Sequence, residues 1–480
     1  MNGASMGDNV LLVSVNQYDF PYPVFPLGLA QVEGALRQAG YNTRLVDWNV
    51  DTEPVEQIIR DFQPAWVGIS LRNIDDALIQ KREIFFDKLR GLCDEVRRSS
   101  FAPIVLGGSG FSIFPERLLE LSGADYGIQG EGERALLKLM ETRRDGGDLG
   151  TVPGLVHRRR GSVQINPRSD ALGGAEIAVP SVEDRLSRFY LERSSMMNIQ
   201  TQRGCALRCC YCTYPLLEGR SYRRRPPESV VDELERLELQ GARYIFFVDS
   251  VFNTSVEHVA GICEEILRRR VRVNWCCFLR PKGLTRELMI LMARAGLRHI
   301  EYGSDSLCDS VLEEYGKNLS FEDIRHSSEL ARLEKIECAH YLICGGPGET
   351  YATLQTSFDR SRLLAGATFM ARVGMRVYPG TPLHARWLRE RSSTPDLLEP
   401  HYYLSAEVSE QGIFDALRRA SGEMPNWVFE DPPPAYFKMA ERLRTRGVVG
   451  PLWCYFPMMQ RLGGVASAIA DPPGPIQAAN

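Results

Sequence analysis

Short apolar runs alternate with amphipathic stretches along most of this chain, and that alternation restricts it to an α/β architecture. It begins with VLLVSVN (10–16), passes through a helical pattern from Leu27 to Ala39 that stops at Gly40, and returns to TRLVDWN (43–49). The stretch from Pro54 to Phe62 follows, then AWVGISL (65–71), a longer helix over roughly 77–98 and the buried strand PIVLGG (103–108). A helix near 115–122, the strand DYGIQG (125–130) and a helix from Glu131 complete the series. Buried strands separated by helices make βαβ units and a parallel sheet covered on both faces. Residues 1–145 therefore read as an open, doubly wound, Rossmann-like domain. Such sheets bind ligands beyond the carboxyl ends of their strands.

Residues 146–195 read as a junction: a hairpin over 152–167 turning at Arg160-Gly161, then a polar, irregular linker over 168–195. A second alternating series follows over 196–390. Its strands are MNIQTQ (197–202), YIFFVDS (244–250), VNWCCFL (273–279), HIEYGSD (299–305), AHYLICG (339–345) and RVGMRVYP (372–379). Six strands with helices between them predict a (β/α)6 partial TIM barrel, whose chemistry belongs at the C-terminal strand ends. Residues 391–480 read as mainly helical, and the tail DPPGPIQAAN as disordered.

The net charge of −4 gives no broad attraction to nucleic acid. No apolar run approaches the ~18 residues needed to span a bilayer. The start of the chain lacks a basic segment and cleavage site, so a cytoplasmic protein is expected. Its 12 cysteines are then thiols or metal ligands rather than disulfides. Eight are scattered, mostly in apolar runs, and read as small core residues.

The other four lie together in QTQRGCALRCCYCTYP, where Cys205, Cys209 and Cys212 form C-x3-C-x2-C just after the first strand of the second series. Soft thiolates suit iron–sulfur clusters, and three of them leave one iron of a [4Fe–4S] cluster without a protein ligand. A four-thiolate zinc site that includes Cys210 is the structural alternative. Adjacent cysteines in extended backbone face opposite ways, which counts against it.

CALRCCYC resembles the signature of the radical S-adenosylmethionine (SAM) superfamily, with Tyr211 at its aromatic position. The resemblance implies that the open iron chelates SAM and that reductive cleavage yields a 5′-deoxyadenosyl radical. It implies SAM contacts at Asp249, at Glu301, Gly303 and Ser304 in EYGSDS, at Gly345 and Gly346 in ICGGPGET, and at Arg376 in RVYPGTP. The first domain resembles the cobalamin-binding domain of cobalamin-type radical SAM proteins, through FPLGLAQVEGALRQAGYNTRLVDWN, VGISL, VLGGSGFSIFPERLL, YGIQGEGERAL and VPGLVHRRRG. That likeness implies cobalamin across the strand ends, its nucleotide tail entering near Ser70, Gly107 and Gly108. The first histidine is His157, so the loop after the first strand, NQYDFPYPVFP, offers cobalt no histidine. Cobalamin without such a ligand, or a domain that has lost the cofactor, both fit that departure.

The function implied is a cobalamin-dependent methyltransferase of specialised-metabolite, cofactor or lipid biosynthesis, acting on a small or lipid-like molecule. An external reductant of flavodoxin or ferredoxin type would supply electrons, and no nucleic acid is expected as partner. The alternatives are cobalamin-independent radical chemistry, namely rearrangement, cyclisation or aminocarboxypropyl transfer, and a non-enzymatic zinc- or cobalamin-binding sensor. Outside the cluster, SYRRRPP (221–227) reads as a solvated basic face, His340 as a satisfied core histidine and PLWCYFPMMQ (451–460) as core packing.

Overall fold

The computed structural model describes residues 9–18, 22–168, 172–390, 394–429 and 434–458. The tail DPPGPIQAAN falls outside these. The first sheet contains β1 (Asn9–Ser14), β2 (Asn42–Asp47), β3 (Trp66–Ser70), β4 (Ile104–Gly107), β5 (Tyr126–Ile128), β6 (Leu155–Arg159) and β7 (Ser162–Ile165), in the order β2-β1-β3-β4-β5-β6-β7. Strands β1 to β5 pair in parallel. The register sets Ser14 beside Asp47 and Ser70, and Ser70 beside Gly107. Four strand ends thus share one rim, beyond which an open α/β sheet presents its binding crevice.

The hairpin β6–β7 pairs antiparallel with β5 and so extends the first sheet. The segment expected to be an irregular linker contains a helix, Asp184–Arg193, whose Tyr190 is fully buried and donates to Asp47 at 2.7 Å. The helix expected over 77–98 spans only Leu89–Ser99. Upstream, the carboxylates of Asp75 and Asp76 accept from the backbone N–H of Ala77 and Leu78 at 2.9 and 3.0 Å. Such local side-chain bonds compete with helix, and positive φ at Ala77 and Arg82 ends the contest.

The second domain opens with β8 (Met197–Ile199), followed by a two-residue ribbon of β9 (Gln202–Arg203) and β10 (Arg223–Arg224). Then come β11 (Tyr244–Phe247), β12 (Asn274–Leu279), β13 (Leu297–Asp305), β14 (Glu337–Cys344) and β15 (Thr368–Val373). The expected last strand, RVGMRVYP, breaks at Gly374, whose φ is +76°. Met375–Arg376 (β16) leaves to pair with Tyr402–Tyr403 (β17) instead. A seventh parallel strand, Trp427–Val428 (β18), caps the open barrel, giving the order β18-β15-β14-β13-β12-β11-β8.

Strand alternation divides the barrel. Ile245, Phe247, Trp275, Cys277, Ile300, Tyr302, Leu342 and Phe369 are buried in one core cluster with side chains of the helices. Their neighbours face the lumen. Residues 452–456 fill its floor, where Trp453 crosses His299 edge-on at 5.6 Å. Cys93, Cys263, Cys276, Cys277, Cys338 and Cys344 are buried core thiols. His340 lies between Tyr302 and Phe369 and hydrogen-bonds Ser304 and Ser328, as a satisfied core histidine should.

Candidate active site

The loop after β8 carries the cysteine trio. Asp249, at the end of β11, props its root: it accepts from the Thr201 hydroxyl and from the N–H groups of Thr201 and Gln202 at 2.6, 2.6 and 3.1 Å. The β9–β10 ribbon closes the base, and the N–H of Cys205 donates to Gly219 across the loop at 3.0 Å. Cys212 N–H turns back to the Cys209 carbonyl at 3.3 Å. Cys205 is buried, and Cys209 and Cys212 are half-buried. Burial pushes the Cys212 thiol up to about 12, and Cys205, Cys209 and Lys317 all act on it electrostatically. Burial also raises Cys209, against the pull of the Lys317 ammonium.

Cys210 is held differently. Its N–H donates to Tyr315 and its carbonyl accepts from Leu383, at 2.9 and 2.8 Å, while its sulfur lies 3.9 Å from that of Met375. Its side chain packs against the buried apolar cluster that includes Met375 and Leu383, which counts against it as a fourth metal ligand. Among the described residues no three His, Cys, Asp or Glu side chains converge to hold a single metal ion. Three thiols on one loop remain, a donor set that fits the thiolate ligation of an iron–sulfur cluster.

The other sequence-derived positions scatter around this loop. Tyr211 donates to Asp305 at 2.5 Å, and Gly303 opens toward the lumen beside the Lys317 ammonium. Glu301 lies deeper, accepting from Trp453 at 3.0 Å; burial raises its carboxyl to about 7. Asp249, serving the loop root, is likewise raised to about 7 by burial. Ser304 faces the helices and bonds His340. Gly346 gives way to Tyr315: a Cβ there would come within 2.4 Å of the Tyr315 hydroxyl, and Gly345 sits beside it at positive φ. Arg376 bridges the domains, its guanidinium on Asp75 at 2.8 Å and on the carbonyls of Val377 and Leu397. The geometry thus gives Ser304, Gly346 and Arg376 packing or clasping partners within the protein.

A cleft of about 650 Å³ runs between the rim of the first sheet and the mouth of the barrel. Ser70, Gly107 and Gly108 line one wall, and Thr213, Tyr214 and Glu218 of the cysteine loop line the other. Gly108 has φ +96°, and a Cβ on it would meet the Leu71 carbonyl at 2.4 Å, whereas a Cβ on Gly107 would enter open space. The rim therefore admits a ligand against bare backbone, as close approach of a large cofactor requires. No histidine is among the described residues that line the cleft. Arg72 is, with its backbone N–H held by Asn16 at 2.6 Å.

Residue patterns alone missed several groups. Arg203 crosses to Glu133 of the first domain at 2.5 Å with both side chains buried. In the basic run, Arg223 pairs with Glu131 at 2.6 Å and Arg225 with Glu233 at 2.7 Å, the latter pair 1% exposed on each side. Within SYRRRPP, Arg223 and Arg225 are thus committed to ion pairs inside the protein, against the expectation of a solvated face. Three consecutive arginines followed by two prolines gave no periodic signal to distinguish these states. Lys317 and Asp305 were also unread, since their pairing at 2.7 Å exists only in three dimensions.

A three-thiol loop stands at the mouth of an open parallel barrel and faces a bare-backbone rim, the arrangement implied by the resemblance to radical SAM proteins with a cobalamin-binding domain. Residues 14–140 match the B12 binding domain family and residues 199–360 the Radical SAM superfamily. The chain therefore carries a B12 binding domain followed by a radical SAM domain. It is 27% identical to a tryptophan 2-C-methyltransferase of Streptomyces laurentii, covering 77% of this chain and 73% of that protein. It shares its fold with the radical SAM methyltransferase TsrM of Kitasatospora setae solved with cobalamin and a [4Fe–4S] cluster, at TM-score 0.82, 24% identity and coverage of 96% and 99%. A second structure of that protein, with tryptophan and a SAM analogue, gives TM-score 0.82 at 24% identity, covering 97% and 100%.

Proposed function

We propose that this enzyme transfers a methyl group from SAM to a small-molecule substrate in a cobalamin-dependent reaction. The observation that carries the proposal is the shared cleft, lined by the Ser70–Gly108 rim and by Thr213 and Tyr214, which directly follow the cysteine trio. Cys205, Cys209 and Cys212 are assigned to a [4Fe–4S] cluster, with Gly303 and Tyr211 at the edge of the SAM position. Ser70, Gly107 and Gly108 are assigned to cobalamin without a histidine lower ligand. When bound, these cofactors supply reductive activation and methyl-carrying chemistry, and the chain supplies placement and exclusion of water.

The chain's own residues do the placing. Asp249 fixes the root of the loop, the Tyr211–Asp305 bond fixes its far side, and Arg203–Glu133 with Arg376–Asp75 hold the two walls together. Among the described residues no helix is long and apolar enough to cross a membrane. The reading includes a cytoplasmic setting and an external one-electron donor of flavodoxin or ferredoxin type. Incubation with SAM labelled in its methyl group tests the reaction. Label in the product together with S-adenosylhomocysteine is the expected outcome. Methylthioadenosine would instead indicate aminocarboxypropyl transfer, and 5′-deoxyadenosine with an unlabelled product would indicate rearrangement or cyclisation.

A further inference from the structure

Lys317 is an unusual residue to find where it stands. It lies 8% exposed at the edge of the barrel lumen, and the one acceptor it meets among the described residues is Asp305, at 2.7 Å. A buried ion pair is a poor source of stability, because desolvating two charges offsets most of their attraction. The turn that carries Lys317 is nevertheless fixed in detail. Tyr315 accepts from the Cys210 N–H at 2.9 Å, and Gly316 packs so closely on the Arg208 carbonyl that a Cβ would come within 2.6 Å. Arg280 donates to the carbonyl of Lys317 itself.

Three elements therefore meet at one charge. Asp305 ends β13, with φ +65°, and its Oδ2 accepts both the Lys317 ammonium and the Tyr211 hydroxyl. Tyr211 stands between Cys209 and Cys212 in sequence, so this carboxylate ties the cation to the cysteine loop. The ammonium points past Gly303, where a Cβ would lie 3.8 Å from Nζ. Its own turn is bonded to the cysteine loop, since the Cys210 N–H donates to the carbonyl of Tyr315, two residues before Lys317. Of the other cations around the loop, Arg386 is committed to Glu314 and Glu390, and Arg280 to the carbonyls of Lys317 and Asn318.

We infer that Lys317 is a positioning residue that sets the reduction potential of the cluster held by the cysteine trio, with Asp305 as its counterweight. The inference rests on the cluster assignment above. Reduction takes one electron from an external donor and adds one negative charge to the cluster. A fixed cation beside it in a low-dielectric site stabilises the reduced form, and an uncompensated carboxylate opposes it. The Tyr211–Asp305 bond holds the distance over which both act.

The test is a potentiometric titration with dithionite, followed by electron paramagnetic resonance, on anaerobically reconstituted full-length protein. Lys317→Gln should lower the reduced-to-oxidised ratio about tenfold at the wild-type midpoint, a downward shift of about 59 mV for a one-electron couple. Asp305→Asn should move the midpoint upward, and Lys317→Arg, which keeps the charge, should stay nearer the wild type than Lys317→Gln. A Lys317→Gln midpoint equal to wild type would overturn the inference while leaving the cluster assignment intact. If that variant fails to load iron, Asp305→Asn decides, since an unchanged or lowered midpoint overturns the inference. A wild-type protein that forms no cluster removes the assignment and the inference together.

Discussion

Glu301 stands inside the barrel, 4% exposed, with Trp453 and Tyr341 as hydrogen-bond partners. Burial raises its carboxyl from 4.5 to about 7 in the folded protein. Below the unfolded value both states are protonated and the group is neutral toward stability. Between about 4.5 and 7 the folded state binds more protons than the unfolded one, so this group makes stability fall as pH rises, and its penalty is complete above 7. Glu301→Gln should flatten that part of the pH profile in urea unfolding; an unchanged profile would show that the carboxyl titrates normally. Among the cysteines, Cys209→Ala should abolish iron binding, whereas Cys210→Ala should retain the iron content of wild type. Equal iron loss in both variants would bring Cys210 back as a ligand. The trio was legible because its chemistry lies in local spacing. The outward turn of Ser304 and the fit of Gly346 against Tyr315 were not, because each depends on a partner distant in sequence.

At the scale of elements, two buried ion pairs clasp the domains on either side of the cleft. Arg203–Glu133 joins the cysteine-loop ribbon to the first domain, and Arg376–Asp75 joins β16 to the loop after β3. Removing one partner strands a buried charge, at a cost of about 3–5 kcal/mol. Arg376→Met should therefore lower the unfolding free energy of the SAM-free protein, measured by urea denaturation, by an amount of this order. A variant with normal stability and weakened SAM binding would instead make Arg376 a ligand contact. The alternating runs disclosed both sheets because buried parallel strands are apolar along their whole length. They did not disclose the two-residue strand Trp427–Val428, too short for a period, nor the unwound start of 77–98, where aspartate side chains win the backbone N–H groups. The hairpin was visible at Arg160-Gly161, but its attachment to β5 is a pairing no local pattern encodes.

For the molecule as a whole, function depends on the two walls of one cleft. The first wall rests on Gly108, where positive φ and the Leu71 carbonyl leave no room for a side chain. Gly108→Val should disturb that rim while leaving the cysteine loop, on the opposite wall, able to load iron. The cofactor content of anaerobically purified wild type and Gly108→Val, measured side by side, therefore bears most directly on a two-cofactor cleft. The expected result is ~4 iron and ~4 sulfide per chain in both proteins, with about one cobalamin in the wild type and a marked loss of cobalamin in the variant. Wild-type protein that takes up iron and sulfide but no cobalamin, when cobalamin is supplied, would contradict the assignment of the cleft and exclude methyl transfer through cobalt.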